Sequence, residues 1–383
     1  MSRIGRSNSF WPSPTQRALL EVVLGPRERA AERWRALQPL DVEALEPGSF
    51  ALLPLLYECL GEVAPHDRQL PRLSGTYRNV WYRNQLLLDR LGVLLPLLRQ
   101  RAHTDPLLVG GLSAALRWYA RLGLRPVAQL ELVVERDAAQ DAVRVAGYAG
   151  WQATGSEQVR TSLRDPSGRV LVIHHGAPAV VAAPLGDEGV RGLRDRALAL
   201  DDVEGAPLVL EPVDELIFLC ATGARTTYPP SCQWLIDVHN LLVTEPPPAD
   251  GLADRAVRLH LAEPLRATLG YLAGLLAPGE RGEHLAALDA HPASRRARFA
   301  FVLSGVGSPA LVGPAQTLAA HLEATGDQSL AHVVTRLPRS LQETWGASSP
   351  LQVPLLATRK TLRLVARLLP QSSATKRSRS ASS

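Results

Sequence analysis

The chain reads as an α/β protein: a small mixed sheet with flanking helices, embedded in helical regions on both sides. Three observations predict this. Short β-rich runs separated by helical patterns are confined to roughly residues 105–185, whereas the segments before and after carry apolar residues at helical spacing. A glycine pair, Gly110-Gly111, stands between an apolar strand candidate and an apolar helix candidate. Asp165-Pro166-Ser167-Gly168 has Pro second and Gly fourth, the pattern of a type I turn, which makes its flanking runs a hairpin.

Taken in order, Thr15 to Leu24 and Arg27 to Leu37 are predicted helices broken by Gly25-Pro26, and Phe50 to Leu60 is an apolar helix with Pro54 near its start. Tyr77 to Gln100 is predicted as one long helix with Trp81, Leu86 to Leu88, Leu91, Leu94, Leu95 and Leu98 on its apolar face. Pro106 to Val109 is a strand, Leu112 to Leu122 a helix, Gln129 to Val134 a second strand, and Asp137 to Ala146 a helix capped by its own Asp. Val159 to Leu163 and Arg169 to His174 form the hairpin. Helices Pro212 to Ala224 and Ser231 to Val243 follow, then a break at Pro246-Pro247-Pro248 and further helices to about Leu369. The domain reading is a helical region 1–104, an α/β core 105–210, a helical region 211–370 and a disordered basic tail 371–383.

At 383 residues, with 46% hydrophobic and 21% charged residues, the chain has the composition of a soluble globular protein. No apolar stretch is long enough to span a bilayer, and the N-terminal residues lack the apolar core of a secretory signal, so a cytoplasmic location is the expectation. Cys59, Cys220 and Cys232 have neither metal nor redox spacing and read as small buried hydrophobes. The formal net charge is +5, carried almost wholly by arginine; Lys360 and Lys376 are the only lysines, so nothing earlier supplies a lysine to a phosphate. Leu355 to Leu369 has the pattern of a basic amphipathic helix, for an anionic surface, a partner, or packing on the body.

The chemistry-bearing residues gather around the glycine pair. Gly110 and Gly111 suit a turn whose backbone N–H groups approach a phosphate, or a bare tight turn. Ser113 either reaches a phosphate or satisfies the first turn of its helix. Gln129 and Glu131 are two apart on a strand and share one face; Glu131 reads as a metal ligand or as an edge or surface carboxylate. His174 and His175 suggest metal or acid/base chemistry, with His174 placed toward a phosphate, or are structural strand histidines; adjacent on a strand, they point to opposite faces, so one of them at most faces the cleft. Arg125, before Pro126, is placed at the cleft mouth as a phosphate ligand or a solvated surface residue. Asp237 reads as an anchor between the helical part and the sheet.

Several landmarks in order carry a resemblance: Leu52-Leu53-Pro54-Leu55-Leu56-Tyr57, the helix Tyr77-Arg78-Asn79-Val80-Trp81-Tyr82-Arg83-Asn84-Gln85, the glycine turn, Arg125-Pro126, the hairpin histidine and Trp234-Leu235-Ile236-Asp237. From about Ser49 to about Val243 the chain resembles the uncharacterised nucleotidyltransferase family, a bacterial branch of the polymerase-beta-like nucleotidyltransferase superfamily. The resemblance implies Mg2+-dependent transfer of a nucleotidyl group from a nucleoside triphosphate to a small-molecule or peptide acceptor. It also implies a lysine where Gly110 stands, metal-binding aspartates at Gln129 and Glu131, and a third acidic residue at Val172. One of three expected carboxylates is present, which predicts an impaired or inactive copy acting as a binding or regulatory subunit with a possible protein partner. Two alternatives stand beside it: an active enzyme whose metal site joins Glu131 to Asp105 or Glu135, and an arginine-rich nucleic-acid-binding module.

Overall fold

The computed structural model describes residues 10–157, 159–177, 189–225, 231–276, 282–306, 312–325, 329, 331–333 and 335–338. Its first helices are α1 (Pro14–Leu24), α2 (Arg27–Ala36), α3 (Leu53–Val63) and α4 (Leu70–Arg101). Ser13 starts α1 with a reciprocal capping box to Gln16, so two otherwise orphaned backbone donors are satisfied at once. Pro54 lies in the first turn of α3, where a missing N–H costs nothing. The 32-residue α4 is longer than its sequence pattern indicates, with Pro71 in its first turn and Pro96 on its exposed side. Its buried stripe runs through Val80, Asn84, Leu87, Leu91, Leu94, Leu95 and Leu98. Trp81, expected on that stripe, is instead 46% exposed, being one residue off the line.

Among the described residues the core sheet has seven strands in the order β3-β4-β5-β2-β1-β7-β6: β1 (Leu107–Val109), β2 (Gln129–Val134), β3 (Gln152–Glu157), β4 (Arg160–Arg164), β5 (Val170–His175), β6 (Leu198–Ala199) and β7 (Leu208–Val209). It is mixed: β2 runs antiparallel to β1 and parallel to β5, and β4 and β5 form the expected hairpin. The Asp165 carboxylate builds that turn, accepting from the backbone N–H of Ser167 and Arg169, the Ser167 hydroxyl and Arg169 Nε. Burial opposes its charge, but these hydrogen bonds and the Arg169 charge pull its pKa down to about 2.

One sheet face is apolar. Leu108, Leu130, Leu132, Leu171 and Ile173 pack with Leu91, Leu94 and Leu98 of α4 and Ala142 and Val145 of α6 (Ala139–Tyr148, with α5 being Gly111–Arg117). The opposite face presents Leu107, Val109 and Val133 to a second apolar cluster that includes α8 (Pro212–Gly223) and α9 (Gln233–Thr244), α7 being Gly189–Asp195. Beyond these lie α10 (Ala249–Arg258), α11 (Ala262–Leu275), α12 (Gly282–Asp289), α13 (Arg295–Ser304) and α14 (Val312–Thr325). The three cysteines are free and buried, as expected of small hydrophobes.

Two local expectations need correction. Asp137 does not cap α6; Ala138 is the N-cap, and the Asp137 carboxylate accepts only from the Ala138 N–H, outside the helix. The helix after the glycine pair stops at Arg117 rather than Leu122, and Leu122–Leu124 forms a separate 3-10 turn. Gly123 explains the tight packing there, since a Cβ would stand 2.6 Å from the Tyr77 ring of α4. The predicted basic helix 355–369 and the terminal tail fall outside the described residues. No helix among the described residues is long and apolar enough to cross a membrane.

Candidate functional site

The chain leaves β1 through Gly110, whose φ of +72° is a conformation that side chains with a Cβ rarely adopt, and enters α5 at Gly111. Each glycine makes room for a charged side chain. A Cβ on Gly110 would stand 2.7 Å from Glu131 Oε1, and a Cβ on Gly111 would collide with Arg125 Nη1. The turn is therefore flanked by one carboxylate and one guanidinium.

Glu131 sits on β2, the fourth of seven strands, so it is a central-strand residue and not an edge one. Its register partners are Val109 on β1 and Val172 on β5, while Gln129 pairs with Val170. The register leaves no shift that would bring another acidic residue of the hairpin beside it. Its hydrogen-bond partner is His174, two residues along β5 from Val172, with Nε2 3.2 Å from Glu131 Oε2. The side chains are 21% and 11% exposed, so the pair is largely sheltered but reachable. His175 turns to the other face and meets the Thr161 hydroxyl at 2.9 Å, as strand alternation requires.

Arg125 is not at the surface. Its side chain is 13% exposed and grips Asp237 of α9 with two bonds, Nε to Oδ1 at 3.2 Å and Nη2 to Oδ2 at 2.7 Å, while Nη1 donates to the Pro126 carbonyl at 2.8 Å. Burial by itself disfavours the Arg125 charge; the Asp237 carboxylate outweighs it and holds the guanidinium above its ordinary pKa. Tyr119 donates to Asp237 Oδ1 at 2.6 Å and accepts from Gln233 Nε2 at 3.0 Å. Burial, then the neighbouring carboxylate, pushes the Tyr119 hydroxyl well above its ordinary pKa, so it keeps the proton it donates.

Asn84, which sequence patterns do not single out as a site residue, completes this clamp. Its amide donates to the carbonyls of Leu122 and Arg125, both at 2.7 Å, and accepts from the Val127 N–H at 3.2 Å. Three bonds from one buried side chain fix the loop that delivers Arg125 and begins β2. The one signal in the sequence is a lone amide within the apolar stripe of α4. Ser113 is fully buried, and its hydroxyl has no hydrogen-bond partner among the described residues.

A Mg2+ ion takes oxygen ligands, usually one or two carboxylates with phosphates and water. Among the described residues the donors beside the turn are one carboxylate already bonded to an imidazole and one amide; Glu157, the other strand acid on this face, is three strands away on β3 and ion-paired with Arg160, so the set does not fit the two-ion arrangement of nucleotidyl transfer. Among the described residues no group of three or more His, Cys, Asp or Glu is placed to hold a metal ion. Asp105 and Glu135 do not supply the deficit. By strand register they lie level with one another at the far end of the β1–β2 pair, and Glu135 is up to about 13 Å along the strand from Glu131. Asp105 is paired with Arg99 at 2.8 Å and Glu135 with Arg194 at 2.9 Å.

A mixed sheet with a strand, glycine turn and helix feeding an antiparallel strand that carries the acidic position defines a nucleotidyltransferase-type α/β protein. The model of a family described as uncharacterised nucleotidyltransferases matches residues 50–277, more than half of the sequence. The chain belongs to that family. No curated protein matches it significantly.

Proposed function

We propose that this protein is a nucleotidyltransferase-family member in which metal-dependent nucleotidyl transfer is impaired or lost, and that it works as a cytoplasmic nucleotide-binding or regulatory subunit toward a protein, peptide or small-molecule partner. The observation that carries the reading is the register around Glu131: Val109 and Val172 flank it across the sheet, and Gln129 precedes it on the same face. In metal-assisted phosphoryl chemistry the ions bridge phosphate oxygens and neutralise developing charge. Here the carboxylate closest to the turn adds negative charge, and the neighbouring guanidinium is committed to Asp237. Losing one group that stabilises transition-state charge typically costs about 2.7 to 4 kcal/mol, and two such losses leave little rate.

Gly110 and Gly111 are the proposed phosphate-facing turn, with Glu131 and His174 at its side and Gln129 beyond them. Ser113 and Arg125 are proposed to support the turn from within. Calorimetric titration of the whole chain with ATP, GTP, CTP and UTP, first with Mg2+ and then with EDTA, tests the reading alongside Glu131→Gln. Weak or metal-indifferent nucleotide binding, unchanged or tightened in Glu131→Gln, is expected. Turnover with Mg2+ that Glu131→Gln abolishes would establish an active enzyme and sink the proposal. The double change Gln129→Asp with Val172→Asp is expected to create Mg2+-dependent binding where the wild type lacks it.

A further inference from the structure

The 32-residue α4 buries one stripe against the rest of the chain and turns its other side to solvent. On that outer side Gly75, Arg78, Tyr82, Gln85, Asp89 and Gly92 are exposed or half-exposed and recur at alternating spacings of three and four. Such spacing is the seam along which one helix packs on another. Trp81 and Leu86 flank the seam near its middle, and Trp81 and Tyr82 are 46% and 58% exposed. Trp, Tyr and Arg are the side chains that most often carry the binding energy of protein interfaces. Arg72, Arg90 and Arg99 of α4 reach acidic side chains of their own chain, and Arg83 and Arg101 lie off the seam by helical spacing. Arg78 and Asp89 lie on it, and neither side chain makes a hydrogen bond or ion pair among the described residues.

We infer that this seam docks a second copy of the chain, α4 against α4, antiparallel about a two-fold axis. The spacing is the same read from either end: Arg78 and Asp89, Tyr82 and Gln85, and Gly75 and Gly92 are each equidistant from a level between Arg83 and Asn84. A two-fold axis at that level sets Arg78 opposite Asp89 of the second copy and Asp89 opposite its Arg78, two ion pairs from one surface. Tyr82 meets Gln85 in both directions, and the Trp81 and Leu86 side chains of both copies gather around the axis. Gly75 opposite Gly92 lets the backbones approach at each end. Glu204, between β6 and β7, lies against Gly92, where a Cβ would stand 3.3 Å from its carboxylate. In the pair that carboxylate comes level with Gly75 of the second copy, one turn from its Arg78. Nucleic acid or an anionic membrane would leave Asp89 and Glu204 facing like charge, and water alone would leave both aromatic rings unburied; a second copy answers both. A seam of about 27 Å, at 1.5 Å per residue, buries less than the roughly 800 Å² per partner of stable complexes, so the association belongs in the micromolar range.

The test is sedimentation velocity of the full chain, without nucleotide or metal, from about 1 to about 200 μM, across which monomer should convert to dimer. Arg78→Asp sets acid against acid at both ends of the seam, and Asp89→Arg sets arginine against arginine. Either change alone should weaken dimerisation at least about tenfold and leave the circular dichroism spectrum unchanged, both positions being exposed. An equimolar mixture of the two variants should dimerise as the wild type does, because every acid then faces an arginine. Mixing cannot rescue a misfolded variant, so recovery distinguishes a broken seam from a broken fold. A wild type that stays monomeric at the top of the range overturns the inference and leaves the seam to another partner. Dimerisation that survives either single change overturns it as well, as does a mixture that fails to dimerise. Because no nucleotide is present, none of these outcomes bears on the nucleotidyltransferase reading.

Discussion

Two polar groups press against the same glycine turn, and they are matched very differently. Behind Gly111, Arg125, Asp237, Tyr119, Gln233 and Asn84 form a buried network in which both Asp237 oxygens and the donors that reach them have partners. Beside Gly110, Glu131 has one hydrogen-bond partner among the described residues, His174, and valines on the strands to either side. The contrast separates holding a turn in shape from doing chemistry on it. Gln233 Oε1 is the one side-chain atom of this network without a partner among the described residues; a buried network so nearly satisfied rigidifies its surroundings, and a partly exposed carboxylate with one bond contributes little to that. The clamp keeps the strand–turn–helix geometry of a nucleotidyltransferase whether or not the ligand set can hold metal.

The contrast is tested most severely by Asp237→Ala, which strands the Arg125 charge in the interior. Removing one partner of a buried ion pair typically costs about 3 to 5 kcal/mol, and chemical denaturation should register a loss in that range. A loss under about 1 kcal/mol would mean the clamp is not what holds the turn. Asn84→Ala comes next: it leaves two carbonyls and one N–H of the Arg125 loop without partners, with an expected loss of about 2 to 3 kcal/mol in the same measurement.

A third test uses pH. Glu215 of α8 is fully buried near Arg117, its oxygens have no hydrogen-bond partner among the described residues, and burial raises its pKa from 4.5 to about 8 against the pull of Arg117. A group whose folded pKa is raised contributes stability that is complete below its unfolded value and is lost as pH rises toward the folded one. Stability should therefore fall between about pH 4.5 and pH 8, on the order of a few kcal/mol. Glu215→Gln should flatten that part of the profile. The Asp165 carboxylate acts with opposite sign: its contribution is present above its ordinary value of 3.8 and lost as pH falls toward about 2, so its signature is confined to acid. A wild-type profile that is flat across the window between the two Glu215 values would contradict the buried-acid assignment.

The mildest substitution probes the Gly110 side of the turn. Glu131→Gln keeps the shape of the side chain and removes a charge with one partner, so stability should change by less than about 1 kcal/mol. A loss as large as that of Asp237→Ala would place Glu131 inside the structural network and remove the distinction between the two groups.

Much of this architecture is legible in the amino-acid sequence. The helices around Pro54 and Pro212, the hairpin turn at Asp165 and the strand Gln129 to Val134 announce themselves through local rules of turns, caps and periodicity. Strand β3 does not: all six of its residues are exposed, so it carries neither an apolar run nor an alternation to read. The two-residue strands β6 and β7 are too short for any period. Asn84 looks like an interruption in an apolar stripe because its three partners lie 38 to 43 residues further along the chain.

Spacing along one chain is enough to set the α/β class, the order of elements, the two faces of β2 and the opposite directions of His174 and His175. The family resemblance adds the expectation of a shortage of acidic residues at the site. Packing in three dimensions was needed to put Glu131 on the central strand, to make Val172 its neighbour, and to turn Arg125 inward to Asp237, 112 residues away. The physical reason is that a charge's role depends on what surrounds it: the same arginine is a phosphate ligand beside open solvent and a structural cation when a buried carboxylate reaches it first.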